Sequence, residues 1–281
     1  MAVDFIQPRT LNEALSFLRE KGKRAVILGG GSDVVVRLKD RIIAPDYLLD
    51  LSKIDELRYI EKDGNFVKIG STVTIGELLE SETVKKNLPV LHEAARVFGS
   101  AQIRNIATIG GNIGNSSPVA DTMPALYVHS ALLSLRKSDS KREIEVEKFQ
   151  TGPGKNILEP GELITEIRVP IASEKERGFF FKLGQRRALI IAKVSVAALF
   201  QLDGKRIERA RIALGAVAPR VIRAPQTEEF LRGKELSEDV MREAARICAS
   251  ESKPITDLRS TESYRRYMVG SLLYKGMRGL L

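Results

Sequence analysis

Two glycine-rich turns carry most of the chemistry open to this 281-residue chain: Gly29-Gly30-Gly31-Ser32-Asp33 and Thr108-Ile109-Gly110-Gly111-Asn112. Each follows an apolar run that reads as a strand, and each sets a hydroxyl side chain beside its glycines. Glycine admits tight, left-handed turns and lets a second molecule approach bare backbone amides. Successive amides in such a turn make a concave nest for anions. Ser32 and Thr108 add hydroxyl donors, Asn112 and Asn115 add amide side chains, and Asp121 can accept from sugar hydroxyls. Hydrogen bonds to a charged acceptor contribute about 1.5–3 kcal/mol each. Several converging on one diphosphate would hold a bulky cofactor. Two turns so far apart suggest one ligand held at two places; the alternative is a pair of sharp turns built from favoured residues.

Rival phosphate motifs fit poorly. A dinucleotide Rossmann fingerprint needs a third glycine opening a helix, but that position is Val34, and Val34-Val35-Val36 favours strand over helix. A P-loop fails as well, because Gly154-Lys155-Asn156 lacks the magnesium-binding hydroxyl.

The chain has little reactivity of its own. A single cysteine, Cys248, rules out an internal disulfide and a self-contained iron–sulfur cluster, and argues against structural zinc. Val240, Ala244, Ile247 and Cys248 share one helical face, which favours packing over nucleophilic chemistry. His92 on a helix surface and His129 in a mixed apolar stretch have no spaced partners for a metal or a triad. A catalytic chain of this kind borrows its chemistry from a cofactor. The net charge of +9 and pI near 9.6 would suit nucleic acid or an acidic protein. The basic residues are nevertheless interleaved with 36 acidic ones, and without tryptophan there is no obvious stacking platform, so a nucleic-acid role is the weaker reading. No apolar run approaches a membrane span, and the N-terminus does not read as a secretory signal, so a soluble cytoplasmic protein is expected.

The elements that must position the turns fall into three sections, residues 1–53, 54–170 and 171–281. In the first, Thr10 to Glu13 reads as a capping box, with Leu11, Ala14, Leu15 and Leu18 on one helical face and Gly22 as the stop. Residues 25–28 form a short buried strand entering the first turn. In the second, residues 66–69 read as strand, Thr74 to Glu77 as another capping box, and Pro89 opens a helix stopped at Gly99. Strand signals resume at residues 131–135 and 163–169. The third pairs residues 194–201 with 207–215 across a hairpin turn at Asp203-Gly204. Two helices follow, one capped by Ser237 and one beginning near Thr261. Strands followed by helices predict an α+β appendage.

The segment from Gln102 to Ile113, with Ser117-Pro118-Val119-Ala120-Asp121, closely resembles the FAD-binding subunits of the molybdenum hydroxylases. This is the medium-subunit family of carbon monoxide dehydrogenase, with relatives in the flavin domain of xanthine dehydrogenase. The likeness spans the chain: Phe5, Pro8 and residues 11–14 look like the family's opening. Phe181-Lys182-Leu183-Gly184, residues 191–195 and residues 214–220 fit its C-terminal domain. The resemblance implies an α+β, PCMH-type FAD-binding fold: two α/β subdomains clasping FAD, plus a C-terminal domain.

By that resemblance, Leu28, Gly29, Gly30, Gly31, Ser32 and Asp33 form the first FAD loop, and Ala107, Thr108, Ile109, Gly110, Gly111, Asn112 and Asn115 the second. Asp121 falls on the sugar side, Ile164 and Lys182 in the flavin region, and Ile191 near the isoalloxazine ring. Lys182 is a candidate to stabilise negative charge on the reduced ring. Gly29 stands where many relatives have alanine, and Phe98 and Phe180 are both candidates for the aromatic beside the flavin. The family further implies a complex in which a molybdenum-cofactor subunit oxidises substrate and an iron–sulfur subunit carrying [2Fe-2S] clusters relays electrons to FAD. A soluble acceptor then takes them. A stand-alone flavin reductase of the same fold is the alternative. Carbon monoxide, aldehydes, purines and aromatic thioesters all suit such complexes, because the substrate is chosen on another subunit.

Overall fold

The computed structural model describes residues 3–186 and 189–281. The chain opens with β1 (Asp4–Ile6), α1 (Leu11–Lys21), β2 (Ala25–Leu28), α2 (Val34–Lys39) and β3 (Tyr47–Asp50). The strands make a parallel sheet in the order β1-β3-β2. Thr10 caps α1 by accepting from the Glu13 amide, while the Glu13 carboxylate reaches back to the Arg9 amide, one residue earlier than a capping box requires. The apolar face of α1 (Leu11, Ala14, Leu15, Leu18) packs on Leu49 and Leu51. Gly22 closes α1 with a right-handed backbone and leads into a 3-10 turn.

The expectation of strand at Val34-Val35-Val36 is corrected: these residues open α2. β-Branching costs only tenths of a kcal/mol per helical residue. No neighbouring strand extends past Leu28 to pair with this segment, so a single helical hydrogen-bonding pattern wins.

The second section contains β4 (Ile60–Asp63), β5 (Phe66–Gly70), α3 (Ile75–Glu80), α4 (Glu82–Asn87), α5 (Pro89–Arg96), α6 (Ala101–Ile106), α7 (Ile109–Asn115) and α8 (Thr122–Val128). It continues through β6 (Leu132–Arg136), β7 (Lys141–Glu145), β8 (Gln150–Gly152), β9 (Lys155–Asn156) and β10 (Leu163–Pro170). Five of these strands form an antiparallel sheet in the order β4-β5-β10-β6-β7. Thr74 and Glu77 complete a reciprocal capping box at α3. The second glycine turn, expected after a strand, instead follows helix α6, and its glycines lie in the first turn of α7.

The third section comprises β11 (Glu176–Leu183), β12 (Val194–Asp203), β13 (Arg206–Gly215), β14 (Ile222–Arg223), α9 (Pro225–Leu231), α10 (Glu238–Glu251) and α11 (Glu262–Arg278). The hairpin turn is Gly204-Lys205, closed by the pair Asp203–Arg206, so it sits one residue later than expected. Ser237 caps α10 as expected, and Thr261, expected near the start of the last helix, caps α11. Along β12, residues alternate between two cores. Val196, Ala198 and Phe200 join the core beneath α10 and α11, whereas Ala197 and Leu199 join the core of the second section. A sheet covered on both faces explains why β12 is apolar almost throughout, and it welds the last section to the second.

Cys248 is fully buried in that last core. Burial pushes its thiol well above the usual range, which fits packing and not reactivity. His129, at the end of α8, is also buried. Loss of water, reinforced by the nearby Arg211 charge, holds its pKa down at about 3. The unfolded imidazole titrates near 6.5. Between those values the unfolded chain takes up a proton that the fold refuses, so stability is lost as pH falls from about 6.5 toward 3. This one group contributes on the order of 1.4 kcal/mol per pH unit within that window. Urea denaturation at pH 7, 5.5 and 4.5 should show His129→Leu losing stability less steeply than the parent; equal slopes would remove His129 as the cause.

Candidate functional site: a cleft between two interlocked glycine turns

β2 delivers the first glycine turn and α6 the second to the same place. A Cβ on Gly29 would lie 2.4 Å from the Thr108 hydroxyl oxygen, and one on Gly30 would lie 1.5 Å from the Ile106 carbonyl oxygen. The turns are therefore packed backbone to backbone, at a distance only glycine permits. Gly31, at φ +71°, turns the chain into α2.

Beside this junction lies a cavity of about 540 Å³, within the ~300–1,000 Å³ usual for ligand and cofactor sites. Of the residues read from the sequence, Gly29, Gly30, Gly31, Ser32, Asp33, Ala107, Thr108, Gly110, Gly111, Asn112, Asn115, Ile164 and Ile191 line it. Leu28 and Ile109 do not: they are buried at the roots of the two turns. Asp121 and Lys182 also lie off the wall. Phe98 lines the cavity, whereas Phe180 is buried in the core between sections.

The two turns use their amides differently. No acceptor meets the backbone N–H groups from Gly29 to Val34 among the described residues, so the first turn presents a run of free donors. In the second turn, the Ile109 amide donates to the Val73 carbonyl and the Gly110 amide to the Ser71 carbonyl. The Gly111 amide donates to the Thr108 hydroxyl. Those glycines serve close packing: a Cβ on Gly110 would lie 2.6 Å from the Ser71 carbonyl oxygen. The second turn offers side chains instead. The Asn112 Oδ1 accepts from the Thr122 hydroxyl at 2.6 Å, which leaves its amide NH2 as the free donor. The Thr108 hydroxyl retains its own proton for donation while accepting from Gly111.

Support comes from behind α7. Ser116, at φ +52°, ends the helix, and its carbonyl accepts from Gln150 Nε2 at 2.6 Å. Asn156 Nδ2 donates to both the Gly114 carbonyl and the Ser116 hydroxyl at 3.0 Å. Gln150 Oε1 in turn accepts from the Val221 amide of the last section.

Lys182 and Asp121 form a buried ion pair at 2.6 Å. Burial pushes the Asp121 carboxyl up to about 6, against the downward pull of the Lys182 ammonium. Asp121 Oδ1 has no partner. The Lys182 ammonium also lies 3.4 Å from the Val97 carbonyl oxygen, next to Phe98, so the pair ties β11 to the wall of the cleft.

Several wall residues were not read from the sequence. Val26, Ile27, Leu51, Ile103, Leu158 and Leu163 add apolar surface, and Arg37 adds positive charge. Arg37 is 3.8 Å from Asp33, a long, half-exposed contact that leaves its guanidinium available. Ser71 and Thr72, directly after β5, also line the cavity. Their small polar side chains directly after a strand were the available signal. A larger cleft of about 840 Å³ lies between the second and third sections, beside Tyr127, Arg220 and Arg223. Several of its charges are already engaged: Arg223 binds Glu147 and Glu228, and Glu251 accepts from the Gln226 and Thr227 amides.

Comparison with known proteins gives the family to which this cleft belongs. Residues 1–172 match the FAD binding domain in molybdopterin dehydrogenase, and residues 179–280 match the CO dehydrogenase flavoprotein C-terminal domain. The chain belongs to this family of FAD-binding oxidoreductase subunits. It is 33% identical to the glyceraldehyde dehydrogenase medium chain of Sulfolobus acidocaldarius, over 98% of this chain and 96% of the relative. It is 30% identical to the carbon monoxide dehydrogenase medium chain of Hydrogenophaga pseudoflava, over 98% and 95% of the two chains. A solved structure of carbon monoxide dehydrogenase from the latter organism superposes with a TM-score of 0.95 at 29% identity, over 99% of this chain and 96% of that one. Quinoline 2-oxidoreductase from Pseudomonas putida 86 superposes at 0.94 with 25% identity, over 99% and 96%.

The cleft of this flavoprotein fits FAD. Free amides and Arg37 suit a diphosphate, while Val26, Phe98, Ile103 and Ile164 suit an aromatic ring system. Among the described residues no helix is long and apolar enough to cross a membrane, and no group of metal-ligating side chains is present. Gly30→Ala would push the turns apart, costing at least ~1–3 kcal/mol of stability through overpacking and abolishing FAD binding. Gly152→Ala, where an added Cβ meets nothing within 4 Å, is the control. FAD titration by fluorescence checks this, and a Gly30→Ala chain that binds FAD normally would show that the contact does not shape the site.

Proposed function

We propose that this chain is the FAD-binding electron-transfer subunit of a molybdenum hydroxylase complex. In this reading it takes electrons from iron–sulfur clusters on one partner subunit, while a second partner carries the molybdenum cofactor and oxidises substrate. An external, soluble acceptor receives the electrons. The observation that carries the proposal is the meeting of two distant glycine turns at one cleft, lined by residues 29–34 whose amides have no protein acceptor, within a stretch that matches the family's FAD binding domain.

The division of labour follows from the residues. The subdomains 1–53 and 54–170 clasp the cofactor, and residues 171–281 brace them. The first turn and Arg37 bind the diphosphate. Ser32, Thr108, Asn112 and Asn115 donate side-chain hydrogen bonds, and the Thr122 hydroxyl orients Asn112 for that task. Phe98, Ile103, Ile164 and Ile191 exclude water from the ring, with Phe98 as its aromatic neighbour. Bound FAD supplies the ability to accept electrons singly and release them singly or in pairs. The scarcity of titratable groups on the wall agrees with a chain that holds a redox group and performs no acid–base step of its own. Asp121 and Lys182 stand just behind that wall, where their dipole acts on the ring region through Val97 and Phe98.

The purified chain should show flavin absorption and release one FAD per polypeptide on denaturation, identified by mass. Colourless protein that takes up no FAD would overturn the proposal, and isolation from the native source without partner subunits would favour the stand-alone reductase. Lys182→Met should lower the midpoint potential of the bound flavin; spectroelectrochemistry giving the parental value would strip Lys182 of any part in stabilising the reduced ring.

A further inference from the structure

Ser71 is the one cleft-lining side chain, among the described residues, whose buried polar atom has no partner. The residue is 4% exposed. Its backbone is committed on both sides: the amide donates to the Thr165 carbonyl at 3.1 Å, and the carbonyl accepts from the Gly110 amide at 2.9 Å. The hydroxyl therefore cannot escape to water by a local shift of the chain. Its neighbour Thr72 faces the same constraint and meets it, donating to the Leu57 carbonyl at 2.8 Å. A buried hydroxyl with no partner destabilises a fold unless something else completes it.

The position of Ser71 says what that partner is. Its Cβ lies 2.7 Å from where a Cβ on Gly110 would be, so the side chain sits against the second glycine turn. That turn is itself packed on Gly29 and Gly30, next to the free amides of the first. We infer that Ser71 is a further cofactor-binding residue, its hydroxyl donating to an oxygen of the FAD diphosphate. The inference rests on the FAD reading above and adds a donor that no glycine motif supplies. It also gives the Gly110–Ser71 contact a purpose. The glycine amide, which in an anion nest would bind the phosphate directly, instead holds the Ser71 backbone so that its hydroxyl does so.

The test compares Ser71→Ala and the near-isosteric Ser71→Cys with the parent, as full chains freed of FAD. Affinities for FAD and for ADP, which shares the diphosphate but lacks the flavin, are measured by calorimetry. Thermal unfolding is followed without ligand. Loss of a hydrogen bond to a charged oxygen predicts about tenfold or greater weakening for both ligands in both variants. The ligand-free Ser71→Ala chain should be at least as heat-stable as the parent, because it no longer buries an unpaired hydroxyl. Unchanged affinity for ADP would overturn the assignment, as would a ligand-free alanine variant less stable than the parent with its affinities intact. A parent chain that binds neither FAD nor ADP would instead sink the FAD reading itself, so the two failures are distinct.

Discussion

The contact between the Gly30 Cα and the Ile106 carbonyl is the constraint on which the site depends. Removing every side-chain atom at residues 29 and 30 lets two turns, more than seventy residues apart in sequence, share one surface. Everything around them serves to hold that contact. The parallel three-stranded sheet aims the first turn, α6 and α7 aim the second, and the β8–β9 hairpin pins the far end of α7 through Gln150 and Asn156. Glycine in these positions costs conformational entropy and helix propensity. The structure accepts that cost because no other residue allows the approach.

Polar satisfaction divides the two turns into different tools. The second spends its glycine amides internally, on Ser71 and Thr108, and becomes a rigid wall that presents side chains. The first leaves its amides open. A cleft built this way is preorganised on one side and unsatisfied on the other, which is the arrangement in which a ligand completes the hydrogen bonding of the fold. The Asp121–Lys182 pair extends the same logic deeper. Two buried charges meet at 2.6 Å, one carboxylate oxygen stays without a partner, and the pair links the last section to the loop bearing Phe98.

Much of this was legible in the residue pattern. Capping threonines and serines marked the starts of α1, α3 and α10, because a side-chain oxygen ahead of an amphipathic run has few other uses. β12 was visible in its nearly continuous apolar run, and the Asp-Gly signal placed the turn to β13 within one residue. The Val34-Val35-Val36 run misled, since local strand preference cannot register the absence of a neighbouring strand to pair with. The helix before the second turn was missed for a different reason: Ala101 to Ile106 is short and only weakly periodic.

The residues by themselves pointed to a chain that borrows its reactivity, because a single cysteine and two isolated histidines offer little metal or nucleophilic chemistry. They also determined which backbone positions had to be bare, since steric permission is a property of residue type. What only the tertiary structure decided is how each bare position is used. Whether a glycine amide is free for a ligand or already spent depends on which carbonyl stands opposite it, and that carbonyl comes from a distant strand. Ser71, Arg37 and Phe98 joined the cleft on the same terms, through packing that brings separate sections of chain to one wall.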